Sequence, residues 1–239
     1  SPWLGTLTRQ KYRRDFTLLQ KMNANAIRVH GHVAGRALYE VADEMGLMIW
    51  QDVPLQWGYD NSDAFADNAV RQTRDMMAQF GNSPAIIVWG GHNEPPWNSP
   101  WMEKRFPDWN KPLNQTLTTR VADTLAEDRS RIVHRFSAVE EHYWAGWYFG
   151  TPRDLLAPAK TAIITEFGAQ ALPRLSTLKT IIPADLLWPK STAADDPGWT
   201  RWKYHNFQPF QTFKFAGIPR GNNIQEMIKN TQEYQAQLV

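Results

Sequence analysis

NAIRVHGHVAGRALYEVADEMGLMIWQD, residues 25–52, is the stretch from which the fold is read. Ala-Ile-Arg-Val-His (26–30) is a short β-prone run. In residues 36–45, Leu38, Val41, Ala42 and Met45 recur at helical spacing, and Gly46 supplies the stop. LMIWQD (47–52) is then a near-continuous apolar run, the pattern of a strand covered on both faces. Two strands joined by one helix make a βαβ unit, whose strands pair in parallel.

The same alternation continues on both sides. Residues 8–23 read as a helix with Tyr12, Phe16, Leu19 and Met22 at helical spacing. Residues 64–80 form another, with Ala69, Val70, Thr73, Met76, Met77 and Phe80 on its apolar side. Gly-Asn-Ser-Pro breaks the chain before AIIVW (85–89), and a helix over 113–128 leads to RIVHRFS (131–137). HYWAGWYF (142–149) and TAIIT (161–165) read as two further strands. An irregular stretch rich in Pro, Trp and Asp runs from about 173 to 222, and an amphipathic helix covers 223–239.

Alternating strands and helices imply a parallel α/β fold. No glycine-rich fingerprint follows a strand, which counts against an open nucleotide-binding sheet. Unusual polar residues gather instead at the C-terminal ends of strands: Arg28 and His30, Gln51 and Asp52, Asn93 and Glu94, His134, His142, Glu166. A barrel assembles its active site there. The expectation is a (β/α)8 TIM barrel, with residues 1–239 as a single catalytic domain. Six strands are two short of closure. The first and last strands, with accessory β-domains, are therefore expected elsewhere in a longer polypeptide.

Composition narrows the function. Net charge is +2 with Lys and Arg scattered, so nucleic acid and anionic membrane surfaces are poor partners. No apolar run approaches the roughly 20 residues of a spanning helix. With no cysteine there is no disulfide, thiolate nucleophile or cysteine-held metal. The compartment stays open, and the sequon at Asn114 does not decide it. Twelve tryptophans are the outlier. Trp57, Trp97, Trp101, Trp109, Trp188, Trp199 and Trp202 lie in segments that read as loops, as exposed platforms for sugar faces or protein partners would.

The chemistry is concentrated in VWGGHNEPPW (88–97) and IITEFGAQALP (163–173), each delivering a glutamate from the end of an apolar run. Cleavage of a glycosidic bond with retention uses two facing carboxyl groups about 5–5.5 Å apart, one protonated and one ionised. Glu94 and Glu166 are the candidates. Glu140 and Glu141 are not, because neighbours on an extended chain point in opposite directions.

NAIRVHG, MIWQD, VWGGHNEP, HYWAGW and ITEFGAQALP, in that order, resemble glycoside hydrolase family 2 and, within it, the β-mannosidase-like branch. The resemblance implies an exo-acting retaining β-glycosidase, β-mannoside first, that needs no cofactor. It implies Glu94 as acid/base, Asn93 on the sugar 2-hydroxyl, Glu166 as nucleophile and Arg28 as the cation that keeps that nucleophile ionised. Gln51 and Asp52 would contact sugar hydroxyls, while His142, Trp144 and Trp147 would wall the same subsite. His30 reads as a polar residue lining the sugar site. His92 and the Pro-Pro after Glu94 depart from the family pattern. Two rivals remain: a metal-dependent barrel hydrolase built on His30-Gly31-His32 with His134 and His142, and a sugar-binding barrel without catalysis.

Overall fold

Four strands form one parallel sheet in chain order: β1 (Ala26–Val29), β2 (Met48–Asp52), β3 (Ile86–Asn93) and β4 (Ile132–Ser137). The computed structural model describes residues 6–104, 110 and 112–239, so Trp109 lies outside the described residues. The helices are α1 (Arg9–Lys21), α2 (Arg36–Met45), α3 (Asp63–Phe80), α4 (Gln115–Leu125), α5 (Leu175–Ile181), α6 (Thr200–Tyr204) and α7 (Ile224–Leu238). The chain divides into two compact units, Ser1–Val139 and Glu140–Val239.

In the first unit the sequence signals act where they stand. Thr8 and Ser62 cap α1 and α3 by accepting the backbone N–H groups of Lys11 and Phe65. Gly46 ends α2 at φ 66, a conformation in which a side chain would be strained. Strand residues Val29, Ile49, Ile86 and Trp89 share one core with Tyr12 and Phe16 of α1, Leu38 and Val41 of α2, Met76 and Phe80 of α3, and Leu117 and Val121 of α4.

β3 is longer than the sequence suggests, because Gly90 and Gly91 stay in the ladder. Gly90 pairs with both Asp52 and His134. A Cβ on Gly90 would collide with the Asp52 carboxylate and the Trp50 indole nitrogen, and one on Gly91 with the Arg135 carbonyl. Both positions exclude any side chain for steric reasons.

In the second unit two expected strands are corrected. Residues 142–149 form turns, with Trp147 and Tyr148 N–H both donating to the Trp144 carbonyl and Gly146 at φ 82. Residues 161–165 lack a ladder; what joins the segments is a parallel bridge between His142 and Glu166, flanked by Thr165 N–H to Glu141 O (3.0 Å) and Tyr143 N–H to Glu166 O (2.7 Å). The stretch read as irregular is also more ordered, holding α5, α6 and a π-helical turn at Phe210–Phe215. Trp199 and Trp202 are core residues rather than exposed platforms. They pack with Leu178, Phe207 and Met227, and their indole N–H groups donate to the Ser191 and Leu186 carbonyls. Among the described residues, no helix is long and apolar enough to cross a membrane.

Candidate active site

Parallel strands in register bring their C-terminal residues to one end, and in the first unit a charged network assembles there. Arg28 Nε donates to Asp52 Oδ2 at 2.9 Å, and an Arg28 terminal nitrogen reaches Asn93 Oδ1 (2.9 Å) and Ser137 Oγ (2.8 Å). Trp50 Nε1 donates to Asp52 Oδ1 at 2.7 Å, and His30 Nδ1 lies 3.0 Å from Oδ2. The Asp52 side chain is 2% exposed, so its charge is tolerated only because donors surround it. Trp50 also carries the Arg28 guanidinium against its ring, 5.6 Å from centroid, and meets His134 edge-on at 4.9 Å. Four strands thus contribute to one polar floor.

Glu94 stands at the rim of that floor, immediately after β3. Its backbone adopts φ 44 and its N–H donates to the Ser137 carbonyl at 2.9 Å. A non-glycine residue in this region is uncommon and recurs at functional sites. Trp57 Nε1 donates to Glu94 Oε2 at 2.8 Å. Trp57 is itself left-handed, at φ 68, and packs edge-on against Trp101 with centroids 5.3 Å apart. His92 is fully buried, with Nδ1 2.9 Å from Thr118 Oγ1 and Nε2 2.7 Å from the Trp57 carbonyl oxygen. Burial pulls its imidazole down to about 4, although the bond to Trp57 acts the other way.

In the second unit, Glu166 lies beside His142, with Nδ1 to Oε2 at 3.6 Å and 22% of the Glu166 side chain exposed. Trp144, Tyr148 and Phe167, with Gln170, Gln208 and Gln235, line a cavity of about 500 Å³. Trp147 is 1% exposed and packs on Ala169, Ile218 and Leu238, so only its margin reaches that cavity.

Of the sequence-expected residues, Arg28, His30, Asp52, Asn93 and Glu94 meet in the first unit. Gln51 is placed elsewhere, a correction with a simple cause: strand residues alternate faces, and Gln51 falls between Trp50 and Asp52. Its side chain is fully buried, with Oε1 accepting Tyr39 Oη–H at 2.6 Å and Nε2 donating to the His32 carbonyl at 2.9 Å. Burial pushes the Tyr39 phenol up to about 12, so it remains a donor at any working pH. Sequence reasoning missed Trp50, Trp57 and Ser137 as members of the site. Trp50 was recoverable from its two-residue spacing to Asp52, and Ser137 from its place at a strand end. His32 Nδ1 faces the His30 carbonyl oxygen at 3.0 Å. Among the described residues, no group of three or more His, Cys, Asp or Glu is disposed to hold a metal ion.

Residues 5–181 match the family model described as glycosyl hydrolases family 2, TIM barrel domain. The chain is 24% identical over 212 residues to β-mannosidase B of Thermothelomyces thermophilus, a match covering 76% of this chain and 24% of that protein. The crystal structure of β-D-mannosidase from Dictyoglomus thermophilum superposes with a TM-score of 0.73 at 21% identity, over 96% of this chain and 30% of the other. That of Bacteroides uniformis β-glucuronidase 2, covalently bound to cyclophellitol-6-carboxylate aziridine, gives 0.58 at 26% identity, over 70% and 23%. The chain thus corresponds to a quarter to a third of the length of these proteins.

Proposed function

From the premise that this chain belongs to glycosyl hydrolases family 2 and carries part of its (β/α)8 barrel, we propose that it is the catalytic region of a retaining exo-β-glycosidase acting first on β-mannosides. Residues 1–239 then serve as one catalytic domain of a longer polypeptide whose other segments complete the barrel. The observation that carries the reading is Glu94, held in a left-handed conformation at the end of β3 beside the Arg28–Asp52–Asn93 network. In this reading Glu94 protonates the leaving oxygen and later takes a proton from water, and Glu166 attacks the anomeric carbon. Asn93 and Asp52 meet sugar hydroxyls, with Arg28 balancing charge, and His142 and Trp144 wall the subsite.

The B. uniformis relative, solved covalently bound to cyclophellitol-6-carboxylate aziridine, supports a double displacement, which passes through a covalent intermediate. The β-mannoside preference is supported by the similarity to T. thermophilus β-mannosidase B. A β-glucuronide is the second reading, favoured by the similarity to B. uniformis β-glucuronidase 2. Against it, a uronate asks for a cation, and the Arg28 guanidinium is already held by Asp52.

The test is the full-length polypeptide on aryl β-mannoside, β-glucuronide, β-galactoside and β-glucosaminide, with the anomer of the first product read by NMR. Retained β-mannose is expected. Glu166→Ala should abolish turnover on every substrate. Glu94→Ala should slow poor leaving groups by about 10²–10⁴, spare activated ones and yield a β-glycosyl azide when azide is added. The opposite pattern would exchange the two roles, and an inverted product would sink the mechanism.

A further inference from the structure

Trp57 is fixed at three points. Its backbone N–H donates to the Asn93 carbonyl at 3.0 Å, its carbonyl lies 2.7 Å from His92 Nε2, and its indole N–H donates to Glu94 Oε2 at 2.8 Å. A carbonyl can only accept, so Nε2 of His92 carries the hydrogen of that contact. The imidazole is wedged between this carbonyl and Thr118 Oγ1, with no exposed surface. These bonds hold a bulky residue at φ 68, which an unsupported tryptophan would leave.

An indole N–H cannot accept a hydrogen bond. The oxygen of Glu94 facing Trp57 is therefore a poor seat for a proton, and the proton of the acid form belongs on the other, Oε1. The N–H···Oε2 bond also strengthens as Oε1 gives up its proton and negative charge spreads over the carboxylate. Such an interaction is stronger in the transition state than in the ground state, as catalysis requires. Resting on the acid/base reading of Glu94, the geometry points to Trp57 as a positioning residue that orients this carboxyl and makes Oε1 its proton-carrying oxygen, with His92 as the anchor of Trp57. The reaction is unchanged in its balance: Oε1–H goes to the glycosidic oxygen as the C–O bond breaks, and Oε1 recovers a proton from the attacking water.

The test uses the full-length enzyme with Trp57→Phe, which removes the N–H and keeps a ring against Trp101. A second variant replaces Trp57 by benzothienylalanine, in which sulfur takes the place of N–H within an otherwise unchanged bicycle. Both should lower kcat/KM on alkyl β-glycosides about 10- to 100-fold, the worth of a hydrogen bond to a charged group. Both should lower kcat/KM on dinitrophenyl glycosides far less than on alkyl glycosides, because good leaving groups need no proton. In a Glu94→Ala background, Trp57→Phe should cost nothing further. An equal loss on both leaving groups, or an undiminished loss without Glu94, would overturn the assignment of Trp57 while the acid/base reading stands. If Glu94→Ala is itself indifferent to the leaving group, the acid/base reading falls and takes the assignment with it.

Discussion

Acidification should weaken the barrel through His92, by an amount the structure sets. The imidazole is fully buried and held at about 4, against an ordinary value of 6.5. Its folded-state affinity for a proton is thus lower than its unfolded-state affinity. Stability is complete above pH 6.5 and is lost as pH falls towards 4, because only the unfolded chain takes up the proton in that window. At about 1.4 kcal/mol per pH unit, the gap corresponds to about 3 kcal/mol. The perturbation is His92→Gln, whose amide can still donate to the Trp57 carbonyl and face Thr118 but does not titrate. The assay is urea unfolding of wild type and variant at pH 7, 6, 5 and 4, followed by tryptophan fluorescence. Wild type should be the more stable at pH 7, by about 1–3 kcal/mol, and should lose that margin by pH 4. Other groups cancel in the difference. Asp128 is one, since burial alone would raise its carboxyl but bonds from Ser130, Trp89 and Arg131 outweigh that and hold it low. Two curves that stay parallel from pH 7 to 4 would refute the claim that His92 is kept neutral by burial.

Three further outcomes are expected. Gly90→Ala should drive a methyl group into Asp52 and Trp50, costing about 1–3 kcal/mol and at least tenfold in activity, whereas Gly91→Ala should strike the Arg135 backbone between β3 and β4 and prevent soluble expression; equal behaviour would mean that the two glycines are not doing different jobs. Gln51→Met should lower the melting temperature, since Tyr39 and the His32 carbonyl lose a buried partner, yet leave KM within about twofold; a large rise in KM would return Gln51 to the sugar site. Asn114 is fully buried, with Oδ1 on Tyr59 N–H and Nδ2 on the Tyr59 carbonyl, so expression in a glycosylating host should add no glycan there by mass spectrometry, and Asn114→Ala should cost about 2–4 kcal/mol in denaturant unfolding.

Much of the first unit was legible because periodicity and burial agree there. Residues 36–45 and 48–52 carry patterns that permit one reading, and the elements end within a residue or two of the sequence signals. Meeting of Arg28, Asp52, Asn93 and Glu94 was equally legible, since parallel strands in register end on the same side. The second unit was harder. HYWAGWYF and TAIIT have the composition of strands, but composition cannot supply a ladder partner, and Gly146 turns the first segment before one could extend. Trp199 and Trp202 stand among Pro, Gly and Asp, as exposed loop aromatics would. They are buried because two backbone carbonyls receive their N–H groups, a fact that depends on residues 8 and 16 positions away.

Gln51 and Trp57 show two different ways in which a motif misleads. The pair Gln51-Asp52 invites both side chains into the site, although alternation along a strand sends the first to the opposite face. That error was correctable from the sequence, by letting strand geometry override the motif. Trp57 was not correctable. Its place depends on a left-handed turn, on a histidine that departs from the family pattern, and on a hydrogen bond spanning 37 positions. His92 has the same ring nitrogens whether it lines a sugar site, binds a metal or props a loop. What separates these roles is the partner each nitrogen finds: here a threonine hydroxyl and a backbone carbonyl, both contributed by segments far from β3 in the chain. The departure from the family pattern at His92 and the unusual backbone at Trp57 are therefore one feature, because the histidine supplies the bond that holds the tryptophan against Glu94.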